Sequence, residues 1–166
     1  PLTDAARARL AELKRPAPWD AARLIATPLS RAQDTAEILT GQKPEVTEGL
    51  TELSWGDWEG QRGADLIEDP TSGYKHVEDW GWDMAPPNGE SPNDAWARIG
   101  PALADIAAAN KPALLVVHRG VMRVIMAKAY NWNFDSVEPF KIKRERIYPI
   151  TLNENGIPTG YGEAVR

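Results

Sequence analysis

His118 is the residue whose type and position most directly indicate chemistry. It follows the apolar run from Leu114 to Val117 and precedes a segment with helical spacing from Val121 to Tyr130. A continuous apolar run of this length is typical of a strand that is buried on both faces. In open α/β sheets, ligands bind beyond the carboxyl ends of the strands and beside helix N-termini. We therefore interpret His118 as a ligand-facing residue, with a capping or solvated turn histidine as the alternative.

Arg31 stands at a similar junction earlier in the chain. The short strand candidate Arg23–Ala26 leads into a turn, and Ser30 to Gln33 resembles a capping box that opens a helix ending near Leu39. Free N–H groups and the helix dipole favour an anion in a first helical turn, and arginine adds a planar fork suited to phosphate. A solvent-facing surface arginine is the alternative. If the two strands are neighbours in one sheet, Arg31 and His118 converge on the same edge.

The segment from Leu50 to Gly60 contains two candidate acids. Glu52 lies between two leucines, Leu50 and Leu53, at the end of an extended run, so its carboxyl group is expected to be partly removed from water. A protonated carboxylic acid is what a leaving oxygen requires. Glu59 lies between Trp58 and Gly60 and could instead hold the loop in place. The residues alone leave this choice open.

The remaining elements predict an α/β sheet with helices on both faces, because strands alternate with helices. Thr3 caps a first helix, and Ser91 caps a long one that has Pro92 at its first position. Pro44 to Leu50 is predicted to be extended, and Arg146 to Leu152 is predicted to be the last strand. The tryptophan-rich segment 55–92, with one short helix near residues 64–67, is interpreted as a lid or binding segment rather than a tryptophan-stapled surface excursion.

The length of the chain predicts one domain, residues 1–166, and we take a cytoplasmic location as the default expectation. The net charge of −5 argues against broad nucleic-acid binding, and no apolar run is long enough to span a membrane. The absence of cysteine excludes disulfides and thiolate metal sites, and two histidines are too few for a histidine-rich metal site.

Five segments in order resemble the histidine phosphatase superfamily, the group that includes the cofactor-dependent phosphoglycerate mutases. The resemblance implies a three-layer sandwich around a mostly parallel sheet. The matching segments are Pro1-Leu2-Thr3 ("PLT"), Thr27 to Glu37 ("SPLxRAxxTA"), Leu50 to Gly60 ("LxE…GxWEG"), Pro86 to Ser91 ("PPxGES") and Val116 to Gly120 ("VxHxG").

The resemblance implies a role for each candidate residue. Arg31 would bind phosphate, His118 would be the second histidine of the phosphate pocket, and Glu52 would be the catalytic acid. In the family a first histidine attacks phosphorus, and water then releases phosphate from it. This chemistry needs neither a metal nor another cofactor. The implied partner is a small phosphorylated substrate.

The sequence departs from the family at two positions. The nucleophilic histidine of the "RHG" motif, with the first strand of the sheet, has no counterpart, and His76 in the lid-like segment matches no family motif. We therefore expect the nucleophile upstream of Pro1. Arg119 stands where many relatives have glycine, and we interpret it as facing solvent.

Three other functions remain as alternatives. A non-catalytic module that binds a phosphorylated ligand would keep Arg31 and His118 without the nucleophile. A phosphoglycerate mutase activity is less favoured, because the chain between Gly60 and Pro92 is short for the mutases. An α/β scaffold without a pocket is disfavoured by the five ordered motifs.

Overall fold

The computed structural model describes residues 1–13 and 19–165. Helices and strands alternate through most of this part of the chain. They are α1 (Asp4–Ala11), β1 (Arg23–Ala26), α2 (Ser30–Thr40), β2 (Glu45–Val46), α3 (Gly63–Glu68), α4 (Pro92–Ala108), β3 (Ala113–Val116), α5 (Arg119–Tyr130), β4 (Ile150–Leu152) and β5 (Pro158–Tyr161).

The central sheet has the order β2-β1-β3, and all three strands are parallel. The register pairs Arg23 with Ala113 and Ala26 with Val116, so β1 and β3 end level with each other. The residues that follow these strands therefore meet at one edge of the sheet. A separate antiparallel hairpin joins β4 to β5.

Successive side chains of β1 point to opposite faces of the sheet and contribute to two separate core clusters. Leu24 and Ala26 pack on one face against Ala32 and Ala36 of α2. Ile25 points to the other face and joins the larger core cluster, to which α4 and α5 contribute. The structure thus has helices on both faces of a parallel sheet, which confirms the predicted fold class.

The predicted burial of the β3 strand on both faces is wrong. All four residues from Ala113 to Val116 are only half-buried. The physical reason is the position of β3 at the edge of the sheet, since among residues 1–13 and 19–165 it pairs with β1 alone. One side of this apolar strand is left open.

Other predictions have mixed outcomes. Thr3 caps α1 through a hydrogen bond from the Ala6 N–H, as expected. In the segment predicted to be extended up to Leu50, only β2 is a strand, and a 3-10 turn over Glu48–Leu50 follows it. The predicted last strand is shorter, Ile150–Leu152, and its hairpin partner β5 was not predicted.

Helix α4 begins as predicted. Ser91 and Asp94 form a reciprocal capping box, and Pro92 occupies the first helical position. Ile99, Leu103 and Ile106 are buried along its inner face. None of the helices in the two described ranges combines the length and apolar character that a membrane span requires.

The tryptophan-rich segment is anchored in the core. Trp58 and Trp80 are buried with their ring centroids 6.1 Å apart. Their indole N–H groups donate to the carbonyl oxygens of Ser72 and Lys75, at 3.0 and 2.9 Å. The predicted short helix is present as α3. The two buried tryptophan side chains and their hydrogen bonds hold the segment against the core.

Candidate active site

His118 lies at the junction of β3 and α5, as predicted. It is the N-cap residue of α5 and only 8% exposed. Its Nε2 atom shares a hydrogen bond of 2.8 Å with the Oγ1 atom of Thr27, which is fully buried directly after β1. The level ends of β1 and β3 bring these two residues together.

The electrostatic environment keeps His118 neutral at physiological pH. Removal from water lowers the pKa of the imidazole, and the positive charge of Arg31 lowers it further, to about 4. Both causes penalise the imidazolium form. A neutral imidazole has one N–H donor, which it can offer to an anion.

Glu52 reaches the first turn of α5. Its Oε2 atom accepts a hydrogen bond from the Gly120 N–H at 3.3 Å, and its Oε1 atom accepts one from the Leu53 N–H at 2.9 Å. A Cβ atom at position 120 would lie 2.5 Å from Oε1 of Glu52. Glycine at this position therefore leaves the space that the carboxyl group occupies, two residues from His118.

Arg31 lies in the first turn of α2, as predicted, but the helix begins differently. Leu29 is the N-cap residue and makes no side-chain capping bond, so the predicted capping box of Ser30 and Gln33 is wrong. The Gln33 amide instead donates to the Pro28 carbonyl oxygen at 2.8 Å. Arg31 is exposed, and its charge acts on His118 across the sheet edge.

A cavity of about 460 Å³ lies beside Glu52. It is lined by Glu48, Thr51, Glu52, Ser54, Asn88, Gly89, Glu90 and Arg98. Arg31 and His118 do not line it, so the structure places Glu52 between this cavity and the sheet edge that carries the histidine.

The other candidates lie away from this arrangement. Glu59 is exposed, and in the described part of the chain no hydrogen bond joins its side chain to α5. His76 is exposed beside Tyr74 in the tryptophan-rich segment. Arg119 is exposed, consistent with its interpretation as a solvent-facing residue. Within residues 1–13 and 19–165, no three or more carboxylate or imidazole groups cluster as a metal site would require.

Sequence reasoning missed Thr27 and Arg98. Thr27 carries a hydroxyl group directly after the apolar residues of β1. A polar residue at the end of an apolar strand could have indicated a site residue. Arg98 donates to backbone carbonyl oxygens 46 to 49 positions earlier in the chain, a contact without a local signature.

Comparison with known proteins connects this geometry to one family. A family model described as "Histidine phosphatase superfamily (branch 1)" matches residues 1–159. No curated protein sequence matches the chain significantly.

Several solved structures share the fold. The α-ribazole phosphatase of Shigella flexneri is 25% identical, with a TM-score of 0.71, over 93% of this chain and 80% of that one. The mycobacterial glucosyl-3-phosphoglycerate phosphatase in complex with inorganic phosphate is 26% identical, with a TM-score of 0.65, over 81% and 71%. Bacillus stearothermophilus YhfR is 24% identical, with a TM-score of 0.73, over 98% and 82%, and supports the fold alone.

Proposed function

Because this chain belongs to the histidine phosphatase superfamily, we propose that the protein hydrolyses small phosphomonoesters through a phosphohistidine intermediate. Two of the relatives named above, from Shigella and mycobacteria, are phosphatases. The observation that carries the proposal is the meeting of a neutral, buried His118 and the carboxyl group of Glu52 at the N-terminus of α5.

In the proposed reaction, Arg31, His118 and the first turns of α2 and α5 bind the phosphoryl oxygens. A nucleophilic imidazole nitrogen forms a bond to phosphorus while the ester P–O bond breaks. Glu52 gives its proton to the leaving oxygen. Water then attacks the phosphorus atom, the P–N bond to the histidine breaks, and the Glu52 carboxylate takes a proton from that water as inorganic phosphate leaves.

The nucleophile of this scheme is proposed to lie in the chain that precedes Pro1. The sequence contains only two histidines, and His76 lies exposed in the tryptophan-rich segment. Among residues 1–13 and 19–165, the half-buried, apolar strand β3 pairs with β1 alone, and it ends two residues before His118. A parallel strand added at that edge would cover β3 and end beside His118, which is where a nucleophile is needed.

The decisive experiment traps the intermediate. The full-length protein would be mixed with radiolabelled phosphomonoester and quenched in alkali, in which phosphohistidine survives. We expect label on the protein that is lost in acid and is absent when the upstream histidine is replaced. Turnover without such label would contradict the mechanism. Phosphate binding without turnover would favour the non-catalytic module, and transfer of label to phosphoglycerate would favour a mutase.

A further inference from the structure

Arg98 of α4 connects the segment that carries Glu52 to the start of its own helix. Its Nε and Nη2 atoms donate to the two carboxylate oxygens of Glu90, both at 2.9 Å. Its Nη1 atom donates to the carbonyl oxygens of Gly49 and Thr51, at 3.0 and 2.7 Å. Its Nη2 atom also donates to the Glu52 carbonyl oxygen, at 3.4 Å. One guanidinium therefore binds the backbone on the N-terminal side of the proposed acid.

Glu90 binds the backbone on the other side of that acid. Its Oε2 atom accepts a hydrogen bond from the Ser54 N–H at 2.9 Å, and its own N–H donates to the Ser54 carbonyl oxygen at 2.9 Å. The hydrogen bonds from Arg98 hold the pKa of the Glu90 carboxyl group below its ordinary value, so the pair is charged at neutral pH. Both side chains are about one quarter exposed, which leaves the pair only partly screened by water.

The fit of this segment against α4 is close. A Cβ atom at Gly49 would lie 2.8 Å from Cβ of Ala102 and 2.9 Å from the Arg98 carbonyl oxygen. Glycine thus allows the segment to pass near enough to α4 for the guanidinium to reach its carbonyl groups. The segment is fixed at both of its ends, and the Glu52 side chain projects from the part between them.

We propose that Arg98, bridged to Glu90, is a positioning residue that holds the carboxyl group of Glu52 in place for proton transfer to the leaving oxygen. This inference rests on the proposed phosphatase function. Arg98 contacts main-chain carbonyl oxygens of the segment that carries the acid, whereas the Glu52 side chain contacts α5 at the Gly120 N–H. Loss of the Arg98 guanidinium would remove the hydrogen bonds that hold the backbone at residues 49–54. The Glu52 carboxyl group could then move away from α5.

A positioning role predicts a specific kinetic signature. An alkyl ester such as glycerol phosphate has a poor leaving group that needs a proton in the transition state, whereas p-nitrophenol leaves well as its anion. General acid catalysis contributes about 10²–10⁴-fold where it is needed. A cross-link that only stabilises the fold would affect both esters equally.

The test compares Arg98→Lys with Arg123→Lys in the full-length protein. Arg123 of α5 forms a similar partly buried pair with Glu138, its Nε atom 2.6 Å from Oε1, but no hydrogen bond joins either residue to the segment at 49–54 within the described part of the chain. We measure kcat/KM, which reports the steps up to departure of the alcohol and leaves out the later attack of water that both esters share. For Arg98→Lys we expect kcat/KM on glycerol phosphate to fall by about 10–100-fold, with less than about a threefold change on p-nitrophenyl phosphate. Arg123→Lys should change both rates equally and little.

A double variant completes the test. Glu52→Gln should give the same leaving-group dependence, and adding Arg98→Lys to it should cause no further loss, because both act through one proton transfer. Equal loss on both esters, or additive loss in the double variant, would overturn the inference while leaving the phosphatase function intact. A wild-type protein inactive on both esters would overturn the proposed function and this inference with it. If Arg98→Lys does not fold, Glu90→Gln breaks the same bridge and supplies the comparison.

Discussion

The hydroxyl of Thr27 and the Nε2 atom of His118 share a hydrogen bond across the ends of two adjacent parallel strands. Both residues are buried, and within residues 1–13 and 19–165 Thr27 is the hydrogen-bond partner of the imidazole ring. The hydroxyl can donate to Nε2 or accept from it, so it suits either neutral tautomer of the ring. Thr27 therefore orients the histidine before any anion arrives.

Replacing Thr27 by valine tests this relationship. The substitution keeps the shape of the side chain and leaves a buried ring nitrogen without its partner, which should lower the free energy of unfolding by about 1–3 kcal/mol. Urea titration measures that loss. Thr27→Ser, which keeps the hydroxyl, is the matched control and should retain most of the stability. A valine variant as stable as the wild type would show that the hydrogen bond contributes little.

Stability should depend on pH through His118. The pKa of this residue is lowered from 6.5 to about 4 in the folded protein. The unfolded chain therefore takes up a proton as pH falls below about 6.5, while the folded chain does not until about pH 4. We expect the free energy of unfolding to decrease over that interval, by at most about 3 kcal/mol.

His118→Gln is the control for this effect, since glutamine does not titrate. The difference in unfolding free energy between wild type and variant, measured by urea titration from pH 7 to pH 4, isolates the histidine, because both proteins contain the same carboxyl groups. A constant difference over this range would contradict the lowered pKa.

Gly120→Ala should displace the proposed acid. The new methyl group would lie 2.5 Å from Oε1 of Glu52, closer than atoms can approach, so the carboxyl group must move. We expect kcat to fall by about 10–100-fold on an alkyl phosphate ester. Gly100→Ala in α4 is the matched control, because the new Cβ atom would lie 3.5 Å from the Trp96 ring, at an ordinary contact distance. This variant should leave kcat unchanged and stabilise the helix by about 1 kcal/mol. Full activity in the Gly120 variant would place the acid elsewhere.

His118→Ala should reduce turnover by about 10²–10³-fold, the typical cost of removing one electrostatic donor from such a pocket. The loss should appear in kcat for both good and poor leaving groups, because the histidine acts on the phosphoryl group rather than on the leaving oxygen. Steady-state kinetics with p-nitrophenyl phosphate and glycerol phosphate distinguish the two roles. Unchanged turnover would exclude His118 from the site.

Phosphatase activity should not respond to chelators, because no step of the proposed reaction uses a metal ion. Dialysis against EDTA followed by assay in metal-free buffer is expected to leave the rate of the full-length protein unchanged. Restoration of lost activity by added divalent metal would contradict the scheme.

Local signals in the sequence predicted several elements correctly. The Ser91-Pro92 start of α4 follows from cap chemistry within a few residues. Helix α2 ends one residue beyond the predicted Leu39, at Thr40, and Gly41 follows it with a φ of 68°. The junction of strand and helix at His118 follows from an apolar run that ends in a polar residue. Helix caps and strand-to-helix junctions depend on residues that are close in the sequence, so the sequence alone predicts them.

Features that depend on distant parts of the chain were predicted less well. The burial of β3 depends on which strands lie beside it, and an apolar run does not say whether both neighbours are present. Neighbouring residues alone left Glu52 and Glu59 as equal candidates, and the contact that Glu52 makes with Gly120 lies 68 positions away in the chain. In the sequence, Arg98 resembles any polar position of an amphipathic helix. Its contacts with the carbonyl oxygens of Gly49, Thr51 and Glu52 depend on the tertiary structure.

The pairing of β1 with β3 also has a kinetic consequence. Thr27 and His118 are 91 positions apart, so the sheet edge that carries them closes a long loop of chain. Contacts of such high sequence separation slow folding, because the entropy of loop closure is lost before the contacts form. Inorganic phosphate that binds at the paired ends of β1 and β3 would bind only after these strands have come together. It would therefore slow unfolding of the native state without accelerating folding.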